Sequence, residues 1–216
     1  MPDDEEAAAL GNGDDAGLLD YLRRLDPVPP VPLQSPHEVG LGAVLRGLAG
    51  RPGSNLLADD RARRVLDLVG DRLSIAAGPD GLTVRGMARR RSVPWDRVDR
   101  LVFEGRYEML RGRAVTRITR DVGKRLLRVP VPGLPWLMGR VVGGLSGWIE
   151  DKTISSERAA QLRQDAGWVL THVECRGSDI EMSGPLLLVS LLAPGLSEAV
   201  EQEARRRGVQ VELGDE

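Results

Sequence analysis

Two sets of apolar residues follow the i, i+3, i+4, i+7 spacing that places side chains on one face of a helix. Gly50 and Pro52 follow the first set and Gly70 follows the second, so each helix has an end signal. The sets are Leu41, Val44, Leu45 and Leu48, then Ala62, Val65, Leu66 and Val69. The pattern predicts two helices between residues 38 and 70 that cover one face of the sheet that follows.

From residue 71 the apolar period changes to two, which is typical of strands with one buried face. Residues 71–77 and 82–86 alternate on either side of a Gly-Pro-Asp-Gly sequence at 78–81, which favours a tight turn. Residues 93–104 predict a further strand. Residues 114–131 fit either a second hairpin or a helix. This stretch therefore predicts a small antiparallel β-domain.

The next stretch mixes helices and strands. Residues 134–149 predict an amphipathic helix, which four glycines weaken by about 1 kcal/mol each relative to alanine. Residues 155–166 predict a helix that begins at a serine cap. Residues 168–174 predict a strand.

The last forty residues favour a β-α-β unit. Residues 186–192 are apolar except at Ser190, which predicts a buried strand. A helix over 196–207 and a final strand over 209–213 follow. The turn after 192 lacks the glycine-rich pattern that cradles phosphate, so the sequence does not support nucleotide binding.

Residues 1–36 are predicted to form a disordered acidic tail with a proline-rich spacer. Within it, residues 16–25 fit a short helix with Leu18, Leu22 and Leu25 on one side. The prolines of 27–32 favour extended, polyproline-like chain. The alternative interpretation is a docking peptide, in which the small helix is carried on a stiff tether.

Residues 73–101 contain, in order, Leu-Ser-Ile from Leu73, the Gly-Pro-Asp-Gly turn, Leu-Thr-Val from Leu82, a basic run, and Val93-Pro94-Trp95 before the next strand. This order of motifs resembles the bacterial pleckstrin-homology-like (PH-like) domain family. The resemblance covers about residues 71–131. It implies an α+β fold, with a PH-like antiparallel β-domain and flanking helices, and a protein that binds a protein or peptide partner.

The chain continues for 85 residues past 131, where the family pattern has one closing helix. This length predicts a C-terminal α/β extension over 151–216, after a unit of helices and PH-like β-domain over 37–150. The extension is either a separate domain or a part of the same core.

Charge is unevenly distributed along the chain. Residues 1–26 hold eight acids and two arginines, whereas 85–128 hold fourteen basic residues and five acids. Arginine suits phosphate because its planar fork donates two parallel hydrogen bonds. The predicted partner-binding residues are Arg89, Arg90, Arg91, Arg97, Arg100, Arg125 and Arg128. The competing interpretation is a solvated surface in an arginine-rich chain. The acidic residues 3–6 would compete with a ligand for this surface.

Three tryptophans help to decide between the possible classes of ligand. Trp95 is predicted to pack in the core, since its large apolar area is costly to expose. Trp136 and Trp148 lie in the helix predicted over 134–149. They would contact the membrane under an alternative hypothesis of peripheral binding to anionic lipid. Nucleic-acid binding is a second alternative. It is disfavoured by a pI of about 5.8 and an aromatic content of 3%.

Residue types that carry catalysis or hold metals are scarce. The single cysteine, Cys175, excludes an internal disulfide, and His37 and His172 fall in different predicted segments. The sequence therefore predicts a non-enzymatic protein with no metal and no cofactor. No apolar run approaches the ~20 residues of a membrane-spanning helix, and residues 3–6 are acidic where a signal peptide needs basic residues. The expected location is the cytoplasm, at the inner face of the membrane under the lipid hypothesis. Oligomeric state stays open.

Overall fold

The computed structural model describes residues 15–50, 59–87, 89–110, 141, 156–182 and 184–214, and its elements are numbered within these ranges. The helices are α1 (Asp15–Leu25), α2 (Leu41–Ala49), α3 (Asp60–Val69), α4 (Arg106–Glu108), α5 (Ser156–Ala166), α6 (Pro185–Leu192) and α7 (Pro194–Arg206). The strands are β1 (His37–Gly40), β2 (Ser74–Ala77), β3 (Gly81–Arg85), β4 (Arg90–Pro94), β5 (Val98–Gly105), β6 (Trp168–Cys175), β7 (Ile180–Glu181) and β8 (Gln210–Leu213). The predicted α+β class is confirmed.

The strands form two four-stranded sheets. Sheet A has the order β1-β2-β3-β4 and is antiparallel throughout, and its β2–β3 pair is the predicted hairpin. Sheet B has the order β7-β6-β5-β8, in which β8 runs parallel to β5. The strand predicted over 93–104 is wrong as a single element. A 3-10 turn at Trp95–Arg97 divides it, so that β4 lies in sheet A and β5 in sheet B.

Most of the other predicted elements are present. The two helices predicted between 38 and 70 are α2 and α3, and the helices predicted over 155–166 and 196–207 are α5 and α7. The strands predicted over 168–174 and 209–213 are β6 and β8. The predictions for 114–131 and 134–149 lie outside the described residues. Within the described ranges, no helix is both long and apolar enough to cross a bilayer.

The buried strand predicted over 186–192 is wrong, because this segment is the helix α6. Helix α6 packs between the sheets, with contacts to β2 and β6, and against α2. Its side chains are apolar on every side because every side meets protein, so no amphipathic period exists to distinguish it from a buried strand. The predicted β-α-β unit is therefore also wrong. The parallel partner of β8 is β5 and not residues 186–192.

The prediction of a disordered tail over 1–36 is wrong for the part that begins at α1. Leu18, Leu22 and Leu33 are 3%, 0% and 4% exposed and belong to the main hydrophobic core. A hydrogen bond also joins this segment to α7, because Asp26 Oδ2 accepts from the Leu196 backbone N–H at 2.7 Å. Burial of these leucines offsets the entropy of ordering, a gain that overall composition does not reveal.

Gly195 allows this close contact between the N-terminal segment and α7. A Cβ added at Gly195 would lie 2.4 Å from the Asp26 carbonyl oxygen and 2.7 Å from the Pro27 backbone. The first turn of α7 therefore accepts a carboxylate at its positive end, where the helix dipole and unpaired N–H groups favour an anion.

Arg106, at the start of α4, is buried at 1% exposure and joins three elements of the core. Its Nε donates to the Ala166 carbonyl at the end of α5 at 3.0 Å, and its Nη2 to the Trp168 carbonyl at the start of β6 at 2.6 Å. Its Nη1 donates to the Ser190 carbonyl at 3.1 Å and to that of Leu191, both near the end of α6. Desolvation by burial lowers the pKa of Arg106 to about 9, so the guanidinium is still a cation at pH 7.

Replacing Arg106 should destabilise the fold strongly. Arg106→Met leaves several buried carbonyls without donors and should lower the free energy of unfolding by about 3–5 kcal/mol. Arg106→Lys keeps the charge but not the planar fork, and should lose about 2 kcal/mol or more. Urea unfolding measures both. Arg205→Lys, a surface change at a residue paired with Glu201, is the control and should stay within about 0.5 kcal/mol. An Arg106→Met protein as stable as wild type would contradict this account.

Trp95 is buried at 4% exposure, which confirms the predicted core position. Its Nε1–H donates to the Gly78 carbonyl at 2.9 Å, in the turn between β2 and β3. The Arg207 guanidinium lies 5.6 Å from the centroid of the indole ring, within the range of a cation–π contact. Trp95 thus links the β2–β3 turn and the corner between the sheets to the end of α7.

Trp95→Ala should lower the free energy of unfolding by about 3–5 kcal/mol, as for other large buried aromatic side chains. Trp95→Phe keeps most of the apolar volume but leaves the Gly78 carbonyl without its donor, and should cost about 1–2 kcal/mol. Chemical denaturation of the two variants separates packing from the hydrogen bond. An alanine variant with an unchanged melting temperature would show that the indole does not support the core.

Candidate functional site

The outward face of sheet A is set by the alternation of β3 and β4. In β3, Leu82 and Val84 are buried and point to the core, which places Thr83 and Arg85 on the opposite face. In the register of β4, Ser92 is opposite Thr83 and Arg90 is opposite Arg85. We call the face that holds these four side chains the outer face of sheet A.

Backbone hydrogen bonds show which cross-strand pairs are closest. Gly86 N–H donates to the Arg89 carbonyl at 2.8 Å at one end of the hairpin, and Trp95 N–H to the Asp80 carbonyl at 3.3 Å at the other. Hydrogen-bonded pairs alternate with non-hydrogen-bonded pairs along an antiparallel ladder. Arg85 and Arg90 therefore form a non-hydrogen-bonded pair, the geometry in which facing side chains start closest together.

Three arginines at the turn end of the β3–β4 hairpin, Arg85, Arg89 and Arg90, form what we call the basic hairpin. Arg89 and Arg90 are exposed and Arg85 is half-buried. Among the described residues, no carboxylate forms an ion pair with any of the three. Like charges directly opposite each other destabilise a strand pair. The basic hairpin is therefore a concentration of positive charge that an anion would stabilise.

A shallow cavity of about 350 Å³, which we call the outer groove, runs across the outer face beside this charge. Pro36 and Ala76 supply apolar lining, and Thr83, Arg90 and Ser92 supply polar groups. The Thr83 and Ser92 hydroxyl oxygens lie 2.9 Å apart and share a hydrogen bond. The groove therefore offers a guanidinium and two hydroxyls on a rigid sheet, with Asp80 at its other end.

The far end of the outer groove is the 78–81 turn, and α7 holds it in place. Arg207 Nη2 donates to the Pro79 carbonyl at 2.5 Å, while its Nε donates to Glu203 Oε1 at 2.6 Å. Hydrogen bonds from Arg206, opposed by desolvation and supported by Arg207 and the Leu33 N–H, lower the pKa of Glu203 to about 2. This buried carboxylate therefore stays charged and orients the arginine that supports the groove.

Two of the predicted binding residues, Arg91 and Arg100, make hydrogen bonds within the protein and are not part of the basic hairpin. Arg91 lies on the opposite face of β4. It donates to the Ser178 hydroxyl and to the Asp179 carbonyl, each at 3.0 Å, in the loop between β6 and β7. It thus joins the edge of sheet A to sheet B.

Arg100 lies on sheet B. Its Nε and Nη2 donate to Glu174 of β6 at 2.9 and 2.6 Å, and its Nη1 donates to Glu212 of β8 at 2.5 Å. Hydrogen bonding and charge attraction from Glu174 raise the pKa of Arg100. Its donors are engaged across three strands.

The remaining predicted residues do not join the cluster either. Arg97 lies past the Pro94 end of β4, about 13 Å of extended chain or more from Arg90. Arg125 and Arg128 lie outside the described residues, as do Trp136 and Trp148 of the lipid hypothesis. The described structure therefore brings together only Arg89 and Arg90 of the predicted set.

Arg85 belongs to the cluster, and the sequence prediction omitted it. The signal was present, because Leu82-Thr83-Val84-Arg85 alternates strictly between apolar and polar residues. That alternation places Arg85 on the solvent face, and the turn at the hairpin end sets it opposite Arg90.

A second cavity of about 420 Å³ lies where β5, α5 and β6 meet. Two of its charged groups are paired with each other, since Arg163 Nε donates to Glu108 Oε1 at 2.7 Å, and the Arg163 guanidinium also lies 5.8 Å from the Tyr107 ring centroid. The described residues contain no cluster of three or more His, Cys, Asp or Glu suited to a metal ion. The basic hairpin and the outer groove are therefore the stronger candidate site.

Comparison with known proteins places this site in a family context. Residues 72–133 match the model of the family described as bacterial PH domain, which confirms the resemblance found in the sequence. The matched segment contains β2, β3, β4 and β5, and so includes the basic hairpin. No curated protein and no solved structure matches the chain.

Glu203→Gln should destabilise the protein in a pH-dependent way. A carboxylate with a folded pKa of about 2, below its usual value near 4.3, stabilises the fold fully above about pH 5. That stabilisation is lost as the pH falls toward 2. Wild type should therefore exceed the variant by about 2–3 kcal/mol at pH 7 and by much less at pH 3. Urea unfolding at both values measures the gap, with Glu201→Gln as the control. A gap that does not change with pH would contradict the assignment.

Proposed function

We propose that this chain, whose residues 72–133 match the bacterial PH domain model, is a non-enzymatic binding protein that engages an acidic segment of a protein or peptide partner. The contact is the basic hairpin, Arg85, Arg89 and Arg90. The observation that carries the proposal is the facing pair Arg85 and Arg90, which has no carboxylate partner among the described residues.

An acidic partner would relieve a repulsion that the free protein contains. Guanidinium groups donate planar pairs of hydrogen bonds, so each arginine can hold one carboxylate or phosphate through two parallel contacts. Exposed charges of this kind mainly raise the association rate and select the partner, and salt screens them. The proposed interaction is therefore sensitive to ionic strength.

The fold around the hairpin supports a rigid contact surface. We propose that residues 37–150 contain the binding unit, a PH-like β-domain with flanking helices. Residues 151–216 extend it with α6, α7 and β8, whose apolar side chains join the same core cluster. Residues 3–6, outside the described ranges, keep their proposed role as an acidic competitor for the hairpin.

A protein partner is preferred over the other two classes of ligand. Stable peripheral binding to lipid needs apolar insertion beside the charge. The exposed large apolar residues of the described ranges are Leu25, Val28 and Leu68, and none of them is on sheet A. Single-stranded nucleic acid is bound largely by aromatic stacking, and no aromatic side chain stands with Thr83, Arg85, Arg90 and Ser92 on β3 and β4. The proposed location is the cytoplasm.

Reversing the charge of the facing pair should abolish partner binding. Arg85→Glu/Arg90→Glu should reduce the partner captured by tagged full-length protein from its native host at least about tenfold. The melting temperature should stay near that of wild type, since neither side chain is part of the core. Arg64→Glu/Arg205→Glu changes net charge equally at exposed helical positions and is the control.

Several results would refute this proposal. Equal capture by both double variants would exclude the basic hairpin as the contact. Sedimentation with anionic vesicles that resists high salt would instead favour lipid, and retention of host nucleic acid lost only in Arg85→Glu/Arg90→Glu would favour nucleic-acid binding.

A further inference from the structure

We propose that the outer groove of sheet A binds a phosphorylated side chain of the protein partner. This inference rests on the proposed function and specifies it further: the group recognised beside the basic hairpin is a phosphate monoester, and an ordinary carboxylate is bound more weakly. The proposal is carried by four side chains on two paired strands, Arg85 opposite Arg90 and Thr83 opposite Ser92.

The facing arginines match a dianion better than a single negative charge. A phosphate monoester carries about −1.5 to −2 charges at pH 7 and three acceptor oxygens, whereas a carboxylate carries −1 and two oxygens. The Cβ atoms of a non-hydrogen-bonded pair lie about 4.5–5.5 Å apart, so Arg85 and Arg90 can close on one anion from two sides. Each guanidinium then donates to different phosphate oxygens.

The Thr83–Ser92 pair adds neutral donors in the adjacent row. The two hydroxyls share one hydrogen bond at 2.9 Å, which uses one of their two protons. Neither makes another side-chain hydrogen bond within the described residues, so the second proton is available to a ligand. Alternate residues along a strand are about 7 Å apart. The long arginine side chains span that distance, and a phosphate above the hydroxyls reaches both rows.

The size of the outer groove fits a single side chain. Its volume of about 350 Å³ is near the lower end of ligand pockets, which run from roughly 300 to 1,000 Å³. Ala76 provides a small apolar floor and Pro36 a rigid wall. These residues accept the methylene group that carries the phosphate of phosphoserine, or the methyl group beside the phosphate of phosphothreonine.

Asp80 gives the groove a direction. It lies in the turn at the end of β3 remote from Arg85. Its carboxylate repels an anion there, which leaves the row of Arg85 and Arg90 as the favourable end. Glu38 of β1 shares the outer face, and its Oε1 accepts a hydrogen bond at 2.6 Å from the hydroxyl of Ser74, the residue opposite Arg85. This carboxylate bounds the positive row on the β1 side, so a phosphate is held between the two arginines and not along the whole sheet.

The test follows full-length, ¹⁵N-labelled protein by NMR while O-phosphoserine or glutamate is added. We expect phosphoserine to shift the signals of Thr83, Arg85, Arg90 and Ser92 saturably, and glutamate at the same concentration to shift them at least about fivefold less. Thr83→Val/Ser92→Ala should weaken phosphoserine binding about five- to tenfold. Thr83→Ser, which keeps the hydroxyl, should bind as wild type does. Equal shifts by the two ligands, or unchanged affinity in the double variant, would overturn the proposal.

A second measurement separates this inference from the proposed function. Host lysate is divided, one half is treated with a phosphatase, and capture by wild type is compared with capture by Arg85→Glu/Arg90→Glu. Capture that needs both arginines and is lost after phosphatase treatment supports the phosphate. Capture that needs both arginines but survives treatment would refute the phosphate and leave the acidic-partner function standing. If phosphatidylglycerol vesicles compete with phosphoserine for the same signals at high salt, the anion belongs to lipid and the proposal is wrong.

Discussion

The buried guanidinium of Arg106 fixes the relation between sheet B and the central helix α6. A helix end presents carbonyl oxygens without intrahelical partners, and two such ends, those of α5 and α6, meet inside the protein near the first residue of β6. Water would satisfy these carbonyls at a surface, but here one planar cation does so. The cation also interacts favourably with the dipoles of α5 and α6, because the negative C-terminal ends of both helices face it. The apolar helix α6 can therefore end inside the core and still lie between the two sheets.

A complementary arrangement of carboxylates fixes α7 on the other side of the core. Asp26 meets the positive N-terminus of this helix and also lies 2.8 Å from His37 Nε2, so it joins α7 to the start of β1. Glu203 meets Arg206 and Arg207 near the C-terminus. Because Arg207 in turn supports the turn at Pro79, the shape of the outer groove depends on a helix that is more than a hundred residues away in sequence. The charges inside the protein thus position the surface that is available for binding.

Sequence periodicity predicted the elements with a partly exposed face and failed for helix α6, which has none. Helices α2 and α3 and strand β3 each have a side that is not buried, which reveals their period. Strand β2 is buried throughout, and the turn before β3 identified it. Helix α6 has no polar side, so only Pro185 at its start and its preference for leucine over β-branched residues indicated a helix. The basic site was predicted only in part. Its arginines were grouped by closeness in sequence, whereas strand pairing across two sheets decides which of them face each other.

The contrast between Arg90 and Arg100 shows what distinguishes a binding arginine from a structural one in this fold. Both lie on outward strand faces, yet Arg100 is opposed by Glu174 and reaches Glu212, while Arg90 is opposed by Arg85. The two glutamates neutralise the charge of Arg100 within the protein. The charge of Arg90 has no such partner among the described residues and is available to an external anion. Since the basic hairpin has only three arginines, its charge raises the association rate and the salt sensitivity of binding more than it raises the affinity. Discrimination between anions must then come from the hydroxyl pair and the walls of the groove, because these rigid neutral groups recognise shape and acceptor number as well as charge.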